Sequence, residues 1–446
     1  MKLAELHTIP ALEGEELQNF WQKTLTALQS LQTPLGVTAS GPDDHFYAIF
    51  GRDSLWTVML ALEAERTLRE QERNSGHRPA FTLAYPAWLQ DFATTVLRGL
   101  ASLQGQVVND FNDEQPGRIV HEYWNPVPQN MRAAHWPVAD GNGRYYGSFD
   151  ATFLYVCTVA RVTSFFDDAV LLAELWPSVE AALQWMLAWS DLDHDGRVEY
   201  QNRNPDGFGL NNQVWKDSGD SIRSREHAVL EHPLAWVEVQ GYAWAAYDAY
   251  LEMAQRRRAL DAAREAEIRR RMDGLLHGLQ QFRFAHEHVP AMALDAEKNP
   301  IEVVSSNIGH LLWSGCLARE QAEHVWQRLA QPDMLTSWGI RTLSEQAYFY
   351  NPLKYHCGSI WPFDNAIIVS GLQRYGFTED ARYLANAILS AIRAFTGPVE
   401  LYTVQPAHWL RSHRIAEKWF LADYSDACSV QAWTTSAMLY LGALFM

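Results

Sequence analysis

Basic residues are scarce in this sequence: 36 Lys and Arg stand against 53 Asp and Glu in 446 residues, a formal net charge of −17. A surface of that sign repels phosphate backbones and anionic lipid, so nucleic acid is not an expected partner. Cysteine is scarcer still. Cys157, Cys316, Cys357 and Cys428 are far apart with no C-x-x-C pair, which argues against a disulfide framework or structural zinc and for free thiols in a reducing compartment. No run of about 18 apolar residues occurs, so no membrane span is expected. Lys2, Glu5, His7, Glu13, Glu15 and Glu16 leave the start without the apolar core of a signal peptide, and a soluble cytoplasmic protein is the expectation. Long strand-like alternations and low-complexity linkers are also missing, which favours one all-α domain over residues 1–446.

Aromatic residues are abundant: 18 Trp, 18 Tyr and 19 Phe, many of the tryptophans beside polar or acidic neighbours. Flat, partly polar rings fill cores and also stack on sugar faces. Helical spacing recurs at Leu55, Val58, Met59 and Leu62, and at Ile368, Gly371, Leu372 and Tyr375. Thr378 reads as the N-cap of a helix carrying Leu384, Ile388, Ile392 and Phe395, and Trp176-Pro177-Ser178 reads as the opening of another. The polar stretches 71–77 and 256–271 read as solvated helix faces or turns.

Six short clusters rich in Asp, Glu, Trp and Gly each come just before an apolar helical segment. They are Gly51–Ser54, Tyr146–Asp150, Trp236–Gln240, Ser305–Asn307, Trp361–Asn365 and Asp426–Ser429. If consecutive helices form hairpins in a ring, the entry loops of the inner helices meet at one rim. The pattern therefore predicts a toroid of six helical hairpins with six polar clusters around one pocket.

Acetal hydrolysis requires one carboxyl to protonate the leaving oxygen; in an inverting enzyme a second activates water on the opposite face. The segment Trp215-Lys216-Asp217-Ser218-Gly219-Asp220-Ser221-Ile222 has the right character, because Trp215 could desolvate Asp217 and raise its pKa. Lys216 would oppose that rise if it pointed inward. Taken alone, such a D-x-x-D run also fits a helix cap or a surface turn.

Together with Ile49–Leu55, Tyr145–Thr152, Asp193–Tyr200, Val237–Tyr242, Gly339–Ser344 and Tyr355–Asn365, this segment resembles the amylo-α-1,6-glucosidase family. That family is the glucosidase part of glycogen-debranching enzymes and its bacterial relatives. The matches keep the family's order from about Phe46 to Trp433.

The resemblance implies an (α/α)6 barrel, inversion of configuration, and neither metal nor organic cofactor. It places the general acid at Asp217 and the general base in a late loop matched by Gly397-Pro398-Val399-Glu400-Leu401-Tyr402, which makes Glu400 the base, with Glu417 and Asp426 as rivals. It further implies that Arg52 and Asp53 grip hydroxyls of the innermost sugar, that His121 and Glu122 lie near the pocket, and that Trp361 stacks on a sugar face with Asp364 nearby. Tyr146, Trp215 and Lys216 complete the expected substrate contacts. Each of these residues also has a purely structural use, Arg52 and Asp53 as a capping pair and Trp361 as barrel lining.

Asp191-x-Asp193-x-Asp195-Gly196 resembles the start of a calcium loop, but the twelfth position is Asn202 where the bidentate Glu belongs, so a tight structural turn is expected there. The aromatic and proline-rich segment 123–136 stands out as an insert able to wall off subsites. The expected substrate is a neutral α-linked glucoside, cut from its non-reducing end. Hydrolysis of glucosylglycerate, mannosylglycerate or trehalose on the same barrel is the alternative, with Arg132 or Arg144 meeting an acidic acceptor. A silent carbohydrate-binding protein is a third possibility, since fold alone does not fix function.

Overall fold

A computed structural model describes residues 12–138, 143–283, 286–395, 397–406 and 419–446. The inner ring consists of α2 (Gly51–Ser75), α5 (Ala151–Phe165), α7 (Val237–Arg256), α9 (Asn307–Ser314), α11 (Pro362–Arg374) and α13 (Ala432–Ala443). Each packs on the next, and α13 packs on α2, which closes the circle. Around them lie α1 (Gly14–Ser30), α3 (Tyr85–Ser102), α6 (Ala169–Trp189), α8 (Ala262–Gly278), α10 (Arg319–Leu329) and α12 (Thr378–Ile392); a short α4 (Gln129–Ala133) lies within the 123–136 segment. The predicted (α/α)6 barrel is the observed fold.

Burial separates the two rings. Every residue of α9 and of α13 is buried, the signature of a helix covered on all sides. The outer α10 buries only Ala322, Val325, Trp326 and Leu329, one stripe at helical spacing. All six polar clusters lie at or just before the first turns of the inner helices, as the sequence predicted. The ring is tied shut where α1 meets α13: the Trp21 indole N–H donates to the Leu439 carbonyl at 3.2 Å.

Two helix starts differ from expectation. The helix expected to open at Pro177 begins at Ala169, because Asp168 caps it by accepting the Leu171 N–H at 2.8 Å. Pro177 thus sits inside α6 and withholds the donor for the Ala173 carbonyl, a cost of about 3 kcal/mol. Buried Leu171, Leu172 and Leu175 before it and Val179, Ala182 and Leu183 after it offset that cost. Thr378 is the first residue of α12 and makes no cap; Gly376, at φ 76°, and the Phe377 N–H bonded back to Leu372 form the connection instead.

Short strands position the loops at the rim. Ile49–Phe50, Glu122–Tyr123 and Arg144–Tyr145 form a three-stranded antiparallel sheet, which sets Glu122 opposite Phe50 and Tyr145. At the adjoining start of α2 a Cβ on Gly51 would lie 2.1 Å from the Val120 carbonyl oxygen, so only glycine allows this approach. After Glu400, Tyr402–Pro406 pairs with Trp419–Asp423, and Tyr402 also bridges to Ile360 just before α11.

Candidate active site

Two of the six polar clusters line a cavity of about 470 Å3, Gly51–Ser54 through Arg52 and Asp53 and Trp361–Asn365 through Trp361. Two more reach it at second hand, Asp150 through Arg52 and Cys428 through Glu400, and the clusters at 236–240 and 305–307 are not in its wall. Its charged wall comes from Arg52 and Asp53 on the first turn of α2, Asp217 on the loop before α7, and Glu400 on the loop before the late hairpin. The rest is largely aromatic: Trp215, Tyr355, Trp361 and Trp433 on one side, Phe46, Phe50, Trp124 and Trp136 on the other.

Arg52 organises the wall around Asp217. Its guanidinium is buried and donates from Nε to Asp150 Oδ2 at 2.9 Å and from Nη1 to Asp217 Oδ2 at 3.1 Å. Ser148 Oγ donates to the other Asp150 oxygen at 2.7 Å. The Asp217 side chain stays 27% exposed, open to the cavity. Burial pushes its pKa up to about 6, opposed by Arg52 and helped by the charge of Asp150. A carboxyl in that range holds a transferable proton near neutrality.

Glu400 lies almost fully buried. Tyr355 donates its hydroxyl to Oε1, and the Cys428 N–H donates to Oε2 at 3.1 Å. Burial raises its pKa to about 8, the two donors pull it down, and the charges of Asp53 and Asp217 add to the rise. Asp53, which accepts from Gln431 Nε2 at 3.3 Å, is raised to about 7, first by burial and then by Asp217, against Arg52.

His121 lines the cavity edge-on to Phe50 and Tyr145; burial, with Arg52 and Arg118 nearby, keeps it neutral. Glu122 also reaches the cavity, but both its oxygens are occupied: Trp124 Nε1 donates to Oε2 at 2.9 Å and Trp136 Nε1 donates to Oε1. Burial raises its pKa to about 7. Trp361 stands in the wall, stacked on His356 with ring centroids 5.0 Å apart.

Three residues expected at the substrate are not in the cavity wall. Lys216 points to the opposite side of its segment, where the buried ammonium donates to the Thr342 carbonyl and lies near Asp364 and Glu238. Asp217 thus faces the cavity and Lys216 does not. Asp364 is fully buried and accepts from His310 Nε2 at 2.7 Å, beneath Trp215, whose ring stacks on His310. Tyr146 donates to the Leu103 carbonyl at 2.9 Å and serves packing. Of the rivals to Glu400, Asp426 is exposed away from the cavity, and Glu417 lies outside the described residues.

Other lining groups went unremarked in the sequence. Tyr355 holds Glu400, and His356 Nδ1 bonds Ser218 Oγ at 2.9 Å beside the acid. Gln431 and Trp433 come from the start of α13, where Trp433 stacks on Phe363 at 3.7 Å. His356 Nε2, Gln431 Oε1 and Trp433 Nε1 have no partner among the described residues and suit hydroxyl groups. The turn at Asp191, Asp193 and Asp195 gathers three carboxylates, but Arg271 pairs with Asp191, Arg197 with Asp195, and Lys298 with Asp193, Asp195 and Glu199.

Among proteins of known sequence and function, no curated protein matches this chain. A family model described as the mannosylglycerate hydrolase MGH1-like glycoside hydrolase domain matches residues 82–414, which include Asp217 and Glu400. The chain belongs to that family. It is a glycoside hydrolase, which sets aside the silent binding protein, and its kinship by motif holds at the level of the six-hairpin glycosidases. Among solved structures, the GH63 mannosylglycerate hydrolase from Thermus thermophilus in complex with Tris and D-glycerate is similar at 12% identity and a TM-score of 0.64, covering 94% of this chain and 99% of that one. The same enzyme in complex with glucose gives 14% identity and 0.62, with the same coverage. A rhamnosidase from Klebsiella oxytoca with rhamnose bound gives 13% and 0.54, covering 97% of this chain and 65% of that one. At these identities the likeness carries the fold. No helix of the described residues is long and apolar enough to cross a membrane.

Proposed function

We propose that this glycoside hydrolase releases a single sugar from a small α-glycoside with inversion of configuration. Asp217 protonates the glycosidic oxygen and Glu400 takes a proton from the attacking water. The observation that carries the reading is the pairing, in one aromatic cavity, of two carboxyls that burial holds near neutral pKa: one on Arg52, the other on Tyr355 and the Cys428 N–H. The cavity volume falls within the range of about 300–1,000 Å3 usual for small ligands. In this reading Arg52, Asp53, Gln431, Trp361 and Trp433 bind the sugar ring; Trp361 and Trp433 offer faces and Asp53 and Gln431 offer hydroxyl partners.

The family favours an acceptor of the glycerate type, as in mannosylglycerate or glucosylglycerate. This reading assigns its carboxylate to Arg132, exposed on α4 next to the lining residues Asn130 and Met131 and not itself in the wall. Arg144, half-buried in the three-stranded sheet, is not in the wall. A second reading, a neutral α-glucoside or trehalose as in the amylo-α-1,6-glucosidase type, is favoured by charge: Asp53, Glu122, Asp217 and Glu400 surround the cavity, and Arg52 is already engaged by two carboxylates.

Rates of purified enzyme on mannosylglycerate and glucosylglycerate, set against α-1,6, α-1,4 and α,α-1,1 glucosides, separate the two. With an acidic acceptor, Arg132→Ala raises KM for the acid-bearing substrate and leaves the neutral ones alone. Asp217→Asn and Glu400→Gln are each expected to lower kcat by about 10²–10⁴-fold. Wild-type rates in both variants on every substrate would defeat the assignment of these residues. NMR of the first-formed anomer tests inversion directly.

A further inference from the structure

The 123–136 segment lines the cavity with Trp124, Asn130, Met131, Ala134 and Trp136, and one carboxylate holds two of these residues. Glu122 is 3% exposed, and both of its oxygens accept indole N–H groups from this segment, Trp124 on one and Trp136 on the other. Its backbone is fixed between Phe50 and Tyr145 in the three-stranded sheet. The two indoles are braced from behind: Trp124 stands edge-on to Phe50 with centroids 6.1 Å apart, and Trp136 edge-on to Tyr145 at 5.5 Å. The Tyr145 hydroxyl in turn accepts the Leu210 N–H at 2.7 Å, bringing Leu210 into the same wall.

The location of this wall gives it a role. Glu122 lies close enough to Asp217 for the two charges to interact. The acid meets the glycosidic oxygen, so surfaces beside the acid and toward the mouth meet the leaving group, while the sugar binds deeper against Arg52, Asp53 and Gln431. The mouth itself is formed by Asn130, Met131 and Ala134 of the same segment. We infer that Glu122 is the positioning residue of the acceptor subsite: its carboxylate holds Trp124 and Trp136 as an aromatic wall against which the apolar face of the leaving group packs. Aromatic rings and the C–H faces of sugars both fit such a wall. The inference rests on the hydrolase reading of this cavity, and it assigns Glu122 to the leaving group through the indoles, without direct contact to the sugar being released.

The test compares two substrates with the same sugar: a glycosyl fluoride, whose leaving group fills no acceptor subsite, and an aryl α-glycoside, whose leaving group does. In Glu122→Gln one of the two acceptor oxygens becomes an NH2 group that cannot accept an indole N–H, and the ratio of kcat/KM on aryl glycoside to kcat/KM on fluoride is expected to fall about tenfold, mainly through KM. Trp136→Ala is expected to lower the same ratio. An unchanged ratio, whether both rates fall together or neither moves, would overturn the inference and place Glu122 on the donor sugar or outside the site. A second readout needs no turnover. Acrylamide quenching of indole fluorescence is expected to increase in Glu122→Gln, and the increase to shrink in a Trp136→Phe background and vanish when Trp124 is also replaced by Phe, with far-UV circular dichroism confirming the fold. Equal quenching in wild type and variant would also overturn it. Failure of wild-type enzyme to hydrolyse any glycosyl fluoride would count against the proposed reaction, and the quenching comparison would still decide the clamp.

Discussion

Burial pushes the proposed acid and the proposed base in the same direction, Asp217 to about 6 and Glu400 to about 8. Between those values the pair holds a single proton, which this order puts mainly on Glu400. The form that inversion needs under the proposed roles, Asp217 protonated and Glu400 ionised, is the minor of the two singly protonated forms, and both forms rise and fall together with pH. A pH profile of kcat/KM is therefore expected to be bell-shaped, with limbs near pH 6 and pH 8. Tyr355→Phe removes a donor that favours ionised Glu400, so the upper limb moves to higher pH; an upper limb that stays in place would mean that another group titrates there. At this scale the sequence pointed to Asp217, through a contiguous segment, and to Glu400, through one looser loop, and both carboxyls line the cavity; their roles are proposals. It could not reveal Gln431, Trp433 or Tyr355 as cavity residues, because an amide at a helix start or a ring in a loop gains a ligand role only when six elements converge. Lys216 and Asp364 share motifs with true lining residues, yet their side chains turn to the network beneath Trp215.

Helix packing at the end of the barrel away from the cavity depends on small residues at defined places. A Cβ on Gly371 of α11 would stand 2.4 Å from Leu312 Cβ and 2.7 Å from the Trp313 nitrogen on α9. Gly371→Ala is thus expected to cost roughly 1–3 kcal/mol, read as a lower urea midpoint at unchanged slope. At the start of α6, Asp168→Ala removes the cap on Leu171 and is expected to cost about 1 kcal/mol by the same measurement. The inner helices were legible from the polar cluster before each one. The start of α6 was not, because Pro177 carries the strongest local signal in the segment and only the buried leucines on both sides overrule it. The three-stranded sheet at the rim also went unforeseen; its strands are two residues long and their partners are distant in the chain, so no periodicity announces them.

The molecule as a whole carries carboxyls that keep protons the unfolded chain would release. Asp53 and Glu122 are raised to about 7, and Glu238 and Glu400 to about 8. Between pH 6.5 and 8 the native state then binds more protons than the unfolded state, so stability falls as pH rises through these values. Below pH 6.5 buried His121 and His356, which burial keeps neutral, pull the other way as the unfolded chain takes up their protons. The urea midpoint is accordingly expected to be higher at pH 6.5 than at pH 8; a rise over that interval would contradict the account. The ring is also proposed to unfold as one domain, with loss of activity and loss of helical ellipticity coinciding in urea. How such a crowd of acids is tolerated follows from the direction of the inner helices. All six begin at the end of the barrel that holds the cavity, so their positive macrodipole ends gather on the side of the carboxyls, while the opposite mouth collects the negative ends together with Arg161 and Arg374. The barrel is thereby an electrically polarised ring, and its backbone supplies at the sugar-binding end the positive field that its side chains largely withhold.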